Sequence, residues 1–357
     1  MKKLSLLLLA LLSGLTSNAQ PFSTAATLTA LMQKTNVPGM QLVYTRSGRV
    51  QAYALGQRTA GQPTAVGAAT TFEAASLGKA VLAYVALRLV DQNVLTLDKP
   101  LLSYAPYPRL QGARNAEKIT ARMVLGHTSG LPNWATSPLS PAWPTAPLRL
   151  KYAPDSCWNY SGEGYVLLQK TLEHLTGKPF ETLAREEVFK PLEMKHSSFV
   201  WQSKFAANAA SGHDDKSQPV AISHFAAAYG AFSLFSTAAD YSRFLQVLMT
   251  GQGLKPATAL LLRTPANEAR RYGQPATATD PFIAWASGVG LAATSRGLAQ
   301  WQWGDNGNFK GFYMTLPATR ETLVFLTNSA NGDKLTDDLL RLFFGPGEYR
   351  ARQWVAE

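Results

Sequence analysis

The chain has 357 residues, 46% of them hydrophobic and 16% charged, a balance that can bury a sizeable core. Its net charge of +11 comes from lysines and arginines scattered along the chain rather than massed in runs, which argues against nucleic acid and for solubility near anionic envelope polymers. Cys157 is the single cysteine, so an intrachain disulfide is excluded.

The first residues read as an export leader. Lys2 and Lys3 precede an apolar run from Leu4 to Leu15, and Ser17-Asn18-Ala19 supplies the small residues of a cleavage site after Ala19. The run is shorter than the roughly 20 residues that span a bilayer, and no cysteine follows the cut to carry a lipid. This predicts a signal peptide at 1–19, a periplasmic or secreted mature protein with no stable membrane anchor, and one domain over 20–357.

Thr24 to Lys34 has helical spacing. Met40 to Tyr44 and Val50 to Leu55 alternate as strands around Ser47-Gly48, which predicts a hairpin. Leu77 to Gln92 predicts a helix with Val81, Leu82, Val85 and Leu89 on its apolar face. Between Pro100 and Pro154 loops and short helices dominate. Gly164 to Leu175 reads as a helix stopped by Thr176-Gly177, and Ala238 to Met249 as another. Strands follow at Leu298–Trp303, Phe309–Leu316 and Thr322–Asn328, and a helix at Leu335–Phe344 closes the chain. The expected fold is α/β (α+β), an antiparallel sheet flanked by helices. It is built from both chain ends, about 20–95 and 235–345, with a mostly helical insertion over about 96–234. A cleft between the two parts is the natural substrate site.

Phe72-Glu73-Ala74-Ala75-Ser76-Leu77-Gly78-Lys79 holds the candidate chemistry. Ser76 and Lys79 stand three apart at a helix start, so their side chains share a face. A serine hydroxyl needs a base to become a nucleophile, and a lysine serves as that base only when neutral. Lowering a lysine from about 10.4 towards 7 costs about 4–5 kcal/mol, which burial and the helix N-terminus can supply. Taken alone the spacing is weak evidence, because a capping serine followed by a solvated lysine reads the same way.

The segment resembles the S-x-x-K motif of the serine β-lactamase and penicillin-binding protein superfamily, and the resemblance extends from about Thr27 to Leu340. It is nearest to the class C β-lactamase and family VIII esterase branch. Met123 to Pro132 is similar to a segment of that branch; it reads as a scaffold turn fixed by Gly130 and Pro132, with His127 structural. Trp158-Asn159-Tyr160-Ser161-Gly162 resembles the second motif, Y-x-N. The resemblance implies that Tyr160 relays a proton, and Gly162 stands where relatives carry an asparagine that helps position lysine and substrate. Ala231 to Asp240 resembles the turn leading back into the α/β part, with Thr237 capping the helix.

The third motif, K-T-G or H-x-G in relatives, aligns with Gln302-Trp303-Gly304, followed by Asp305; a register at Asp305-Asn306-Gly307 is the alternative. Gly304 is expected to let substrate backbone approach the strand. By analogy, the N–H groups of Ser76 and Asp305 form the oxyanion hole. Gln302 replaces a cation, and a charged hydrogen bond contributes about 1.5–3 kcal/mol against 0.5–1.5 for a neutral one, so carboxylate recognition weakens. Lys310 or Arg296 could compensate, and Trp158, Trp303 and Phe312 could wall the cleft.

No G-x-S-x-G elbow, H-E-x-x-H pair or phosphate-cradling glycine motif is present, so no metal or cofactor is expected. His213 and His224 read as surface residues. The resulting expectation is a serine hydrolase acting through an acyl-enzyme on an ester, small peptide or cell-wall-like amide. Alternatives are β-lactamase or D-alanyl-D-alanine carboxypeptidase activity on the same fold, and a ligand-binding or regulatory relative that has lost its chemistry.

Overall fold

The structure is a computed structural model that describes residues 21–271 and 273–357; the expected leader lies outside the described residues. In chain order the elements are α1 (Pro21–Thr35), β1 (Gly39–Arg46), β2 (Arg49–Gly56), β3 (Phe72–Ala75) and α2 (Gly78–Asp91). There follow α3 (Ala121–Leu125), α4 (Gly162–Thr176), α5 (Phe180–Ala184), β4 (Gly212–His213), β5 (Pro219–Val220), β6 (Leu234–Ser236), α6 (Ala238–Thr250) and α7 (Pro256–Leu260). The last stretch holds β7 (Asn267–Glu268), β8 (Ile283–Trp285), β9 (Gly290–Thr294), β10 (Gly297–Asp305), β11 (Lys310–Leu316), β12 (Glu321–Thr327), α8 (Thr336–Phe344) and α9 (Arg350–Ala356).

Eight strands form one antiparallel sheet in the order β2-β1-β12-β11-β10-β9-β8-β7, so strands from both chain ends meet where β1 pairs with β12. The hairpin β1–β2 turns on Ser47 (φ 48°) and Gly48 (φ 82°), the two left-handed residues that suit a two-residue loop. Alternation along β12 divides the core. Val324 and Leu326 face the cluster that includes α2 and α6, whereas Leu323 and Phe325 face the one that includes α1, α8 and α9. Helix α2 is apolar nearly all round because it lies between the sheet and the helical part.

Local signals set the helix ends. Ser161 accepts a hydrogen bond from the Gly164 N–H and starts α4, and left-handed Gly177 ends it. Thr237 caps α6 through the Asp240 N–H at 3.1 Å. The helix at 336–344 is not the last, because α9 follows and seats Trp354 against Trp158 and Trp301. Strands β3–β9 have no counterpart among the expected elements; each has five residues or fewer, too short for a period to show.

His213 is a correction. It is buried, its Nδ1 lying 2.6 Å from the Asn328 carbonyl while Nε2 accepts from the Ala60 N–H. His224 is exposed, as expected, and stacks on Trp201. Among the described residues no helix is long and apolar enough to cross a membrane.

Candidate active site

Ser76 sits in the turn between β3 and α2. Ala75 before it adopts φ 50°, a conformation that L-residues other than Asn and Asp rarely take, so the turn is held under strain at the candidate nucleophile. Gly78 opens α2 against the Gly230 carbonyl, 2.7 Å from where a Cβ would stand. That close approach brings the neighbouring Ala231 carbonyl over the helix start, where it accepts from Lys79 Nζ at 2.7 Å.

Lys79 is fully buried, and its Nζ lies 3.0 Å from Ser76 Oγ. Burial alone lowers its pKa from 10.5 to about 7, and among the described residues no carboxylate bonds to it to hold the proton. A neutral amine there can point its lone pair at the hydroxyl while an N–H stays on Ala231. The amine also lies 4.8 Å from the centre of the Tyr160 ring.

Two chain segments are zipped together to place Tyr160. The Ser161 N–H donates to His127 Nδ1, Asn159 Nδ2 to the Leu131 carbonyl, and the Gly162 N–H to Asn133 Oδ1. His127 is buried with φ 57°, its ring centre 4.4 Å from that of Tyr160, and burial and the Lys79 charge hold its pKa well below the usual histidine range. Its ring supports the phenol from behind. Burial raises the Tyr160 pKa although Ser76 and Gln302 hydrogen bonding works the other way, so the phenol is favoured in its protonated form.

Gln302 on β10 is buried and donates from Nε2 to the Tyr160 hydroxyl at 3.2 Å. The first register of the third motif therefore brings its lead residue to the phenol. A Cβ on Gly304 would fall 2.5 Å from the Ala74 carbonyl and 3.3 Å from Leu77 Cγ, so the nucleophile turn packs directly against this glycine. Asp305 reaches the cleft beside Ser76 and Trp303, and its carboxylate pairs with Lys310 at 2.6 Å.

A model of the β-lactamase family matches residues 24–344. This chain belongs to the β-lactamase family. It is 25% identical over 341 residues, covering 88% of this chain and 87% of the relative, to penicillin-binding protein 4 of Amycolatopsis lactamdurans. It is 26% identical over 276 residues to esterase EstB of Burkholderia gladioli, covering 64% of this chain and 69% of that protein. Among solved structures a class C β-lactamase superposes with a TM-score of 0.74 at 21% identity, covering 88% of this chain and 93% of that one. The chain is thus a serine hydrolase of the β-lactamase and penicillin-binding protein fold.

Departures from the β-lactamase family pattern have a structural cause here. Gly162 is buried at the start of α4, and a Cβ on it would stand 2.4 Å from two carbons of the Trp134 indole. Trp134 occupies the space an asparagine side chain would need, and Gly162 does not line the cleft. Lys310 is held by Asp305, and Arg296 bonds to Glu321 and the Phe344 carbonyl, so neither cation lines the cleft. Trp158 and Phe312 are buried in the core on the α1–α8–α9 side; of the three aromatics named as walls, only Trp303 faces the cleft.

The cleft encloses about 330 Å³. Besides Ser76 and Tyr160 its lining includes Glu73, Trp134, Leu139, Phe225 and Phe232, and among the described residues no lysine or arginine lines it. Glu73 was missed as a site residue. Its buried carboxylate accepts from the Ser223 N–H at 2.7 Å and from Asn306 Nδ2 at 2.6 Å, tying two walls to the nucleophile strand. Its place three residues before Ser76 was a signal available in the sequence.

Proposed function

We propose that this chain is an exported hydrolase of uncharged carboxylic esters. Ser76 attacks the ester carbonyl while Lys79 takes its proton, and the carbonyl becomes a tetrahedral oxyanion that the N–H groups of Ser76 and Asp305 stabilise. The intermediate collapses to an acyl-enzyme as Tyr160 passes its phenolic proton to the departing alkoxide and regains one from Lys79. Water then attacks the acyl group as the same two residues remove its proton; they return it to Ser76 Oγ when the acyl–oxygen bond breaks and the acid is released.

The observation that carries this reading is the buried amine of Lys79, 3.0 Å from the Ser76 hydroxyl with no carboxylate among the described residues bonded to it. Esters are favoured over β-lactams and peptide C-termini by the neutral Gln302 and by a lining that contains Glu73 and Asp305 but no cation. A substrate carboxylate would meet no counter-charge there. The leader-like residues 1–19 support export.

Incubation of the mature protein with a fluorophosphonate is expected to add one adduct, on Ser76, by mass spectrometry. In parallel, p-nitrophenyl esters are expected to turn over faster than nitrocefin or D-amino-acid peptides. A folded protein that takes no label would overturn the catalytic reading, and faster nitrocefin turnover would overturn the substrate class.

A further inference from the structure

We propose that Trp134 and Gly162 form one specificity element that gives the cleft an apolar acyl subsite, selecting esters of plain hydrocarbon acids over esters whose acyl chain carries an amide next to the carbonyl. The inference rests on Ser76 being the acylated residue and adds what the acyl group must be.

The wall is built rather than incidental. Buried Glu163, the residue after Gly162, accepts from both terminal nitrogens of Arg109 at 2.7 and 2.9 Å, from the Trp143 indole at 2.9 Å and from the Ala135 N–H at 3.0 Å. The Glu163 N–H also donates to the Asn133 carbonyl at 3.0 Å, so Glu163 pins the loop on either side of Trp134. The Trp134 ring meets Trp143 and Phe232 edge to face, with ring centres 5.8 and 5.4 Å apart, and Phe225 backs Phe232 at 5.5 Å. Pro138 and Leu139 continue the apolar surface outward, Leu139 being 70% exposed.

Only glycine at 162 leaves room for this ring, so the two positions act together. Of the amides in the lining, that of Asn133 has its oxygen engaged by the Gly162 N–H, and that of Asn306 donates to Glu73 and to the Phe232 carbonyl. An amide in the acyl chain would exchange water for aromatic carbon, whereas a methylene chain loses nothing.

The test compares p-nitrophenyl pentanoate with p-nitrophenyl N-acetylglycinate, which have acyl chains of equal length, each kcat/KM divided by that ester's own hydroxide rate. The wild-type protein is expected to favour the pentanoyl ester by tenfold or more. Trp134→Ala is expected to bring the ratio within about threefold, Trp134→Phe to preserve it, and Trp134→Ala with Gly162→Asn to reverse it. Equal or better use of the acetylglycyl ester by wild type, or an unchanged ratio in Trp134→Ala, would overturn the proposal while leaving the hydrolase reading intact. Absence of turnover of both esters together with an unlabelled Ser76 would sink both.

Discussion

The amine of Lys79 and the hydroxyl of Ser76 lie 3.0 Å apart, and the amine's other hydrogen-bond partner is a backbone carbonyl, that of Ala231. A carbonyl accepts equally well from an amine and an ammonium, so it does not trap the proton as a carboxylate would. The pair is poised to exchange one near neutrality, with a lysine pKa of about 7.

The pH profile follows from that value. Lys79 must be neutral to accept the Ser76 proton, so kcat/KM for a neutral ester is expected to climb as pH rises through about 7 and then level off. A profile with no ionisation between pH 6 and 8 would contradict the assignment.

The same burial carries a stability cost. Lys79 falls from 10.5 unfolded to about 7 folded, so between those values the unfolded chain binds the extra proton and stability rises with pH. Below the window both states are charged, and above it both are neutral. Lys79→Met is therefore expected to abolish turnover and to stabilise the protein at pH 7, by an upper bound of about 5 kcal/mol at 1.36 per unit. The gain should vanish above about pH 10.5; denaturant midpoints at pH 7 and 10.5 check it.

Tyr160→Phe removes the proton relay and leaves Gln302 Nε2 without its phenol partner. Turnover of an alkyl ester is expected to fall by about 10²–10⁴-fold. In kcat/KM, which reports acylation, a p-nitrophenyl ester, whose leaving group needs no proton, should lose much less. Comparing the two kcat/KM values isolates protonation of the leaving group from any general disturbance.

Gln302→Lys puts a cation against Tyr160 and near Lys79. Like charge lowers a lysine pKa, so the acid limb is expected to move below its wild-type position. Nitrocefin turnover relative to ester turnover should rise about tenfold, the difference between a charged and a neutral hydrogen bond. An unchanged substrate ratio would show that position 302 does not read the carboxylate.

Gly304→Ala sets a methyl 2.5 Å from the Ala74 carbonyl, two residues before the nucleophile. The Ser76 turn must shift, and a displacement of order 1 Å can cost about 10²-fold in rate. Steady-state kcat is the measurement; wild-type activity would mean that the strand, not the turn, yields.

Much of the frame was legible because its signals are local. Thr237 announces α6 as its cap, Thr176-Gly177 announces the end of α4, Ser47-Gly48 announces a hairpin, and the spacing of Ser76 and Lys79 reads directly as one helical face. Structure that depends on partners distant along the chain is not legible in this way. Helix α9 has little pattern of its own and is held by Trp354 among Trp158 and Trp301. His213 looked polar and exposed until Asn328 and Ala60 closed over it.

The sequence alone determined which reactive groups exist, how they are spaced and which family they belong to, since covalent spacing and helical period are properties of a short stretch of chain. Only the tertiary structure decided what those groups can do. Lys79 loses its charge because everything packed around it excludes water, Gly162 is glycine because Trp134 fills its side-chain space, and Gly304 is glycine because Ala74 abuts it. Desolvation and steric exclusion are exerted by neighbours remote along the chain, which is why they first become visible in three dimensions.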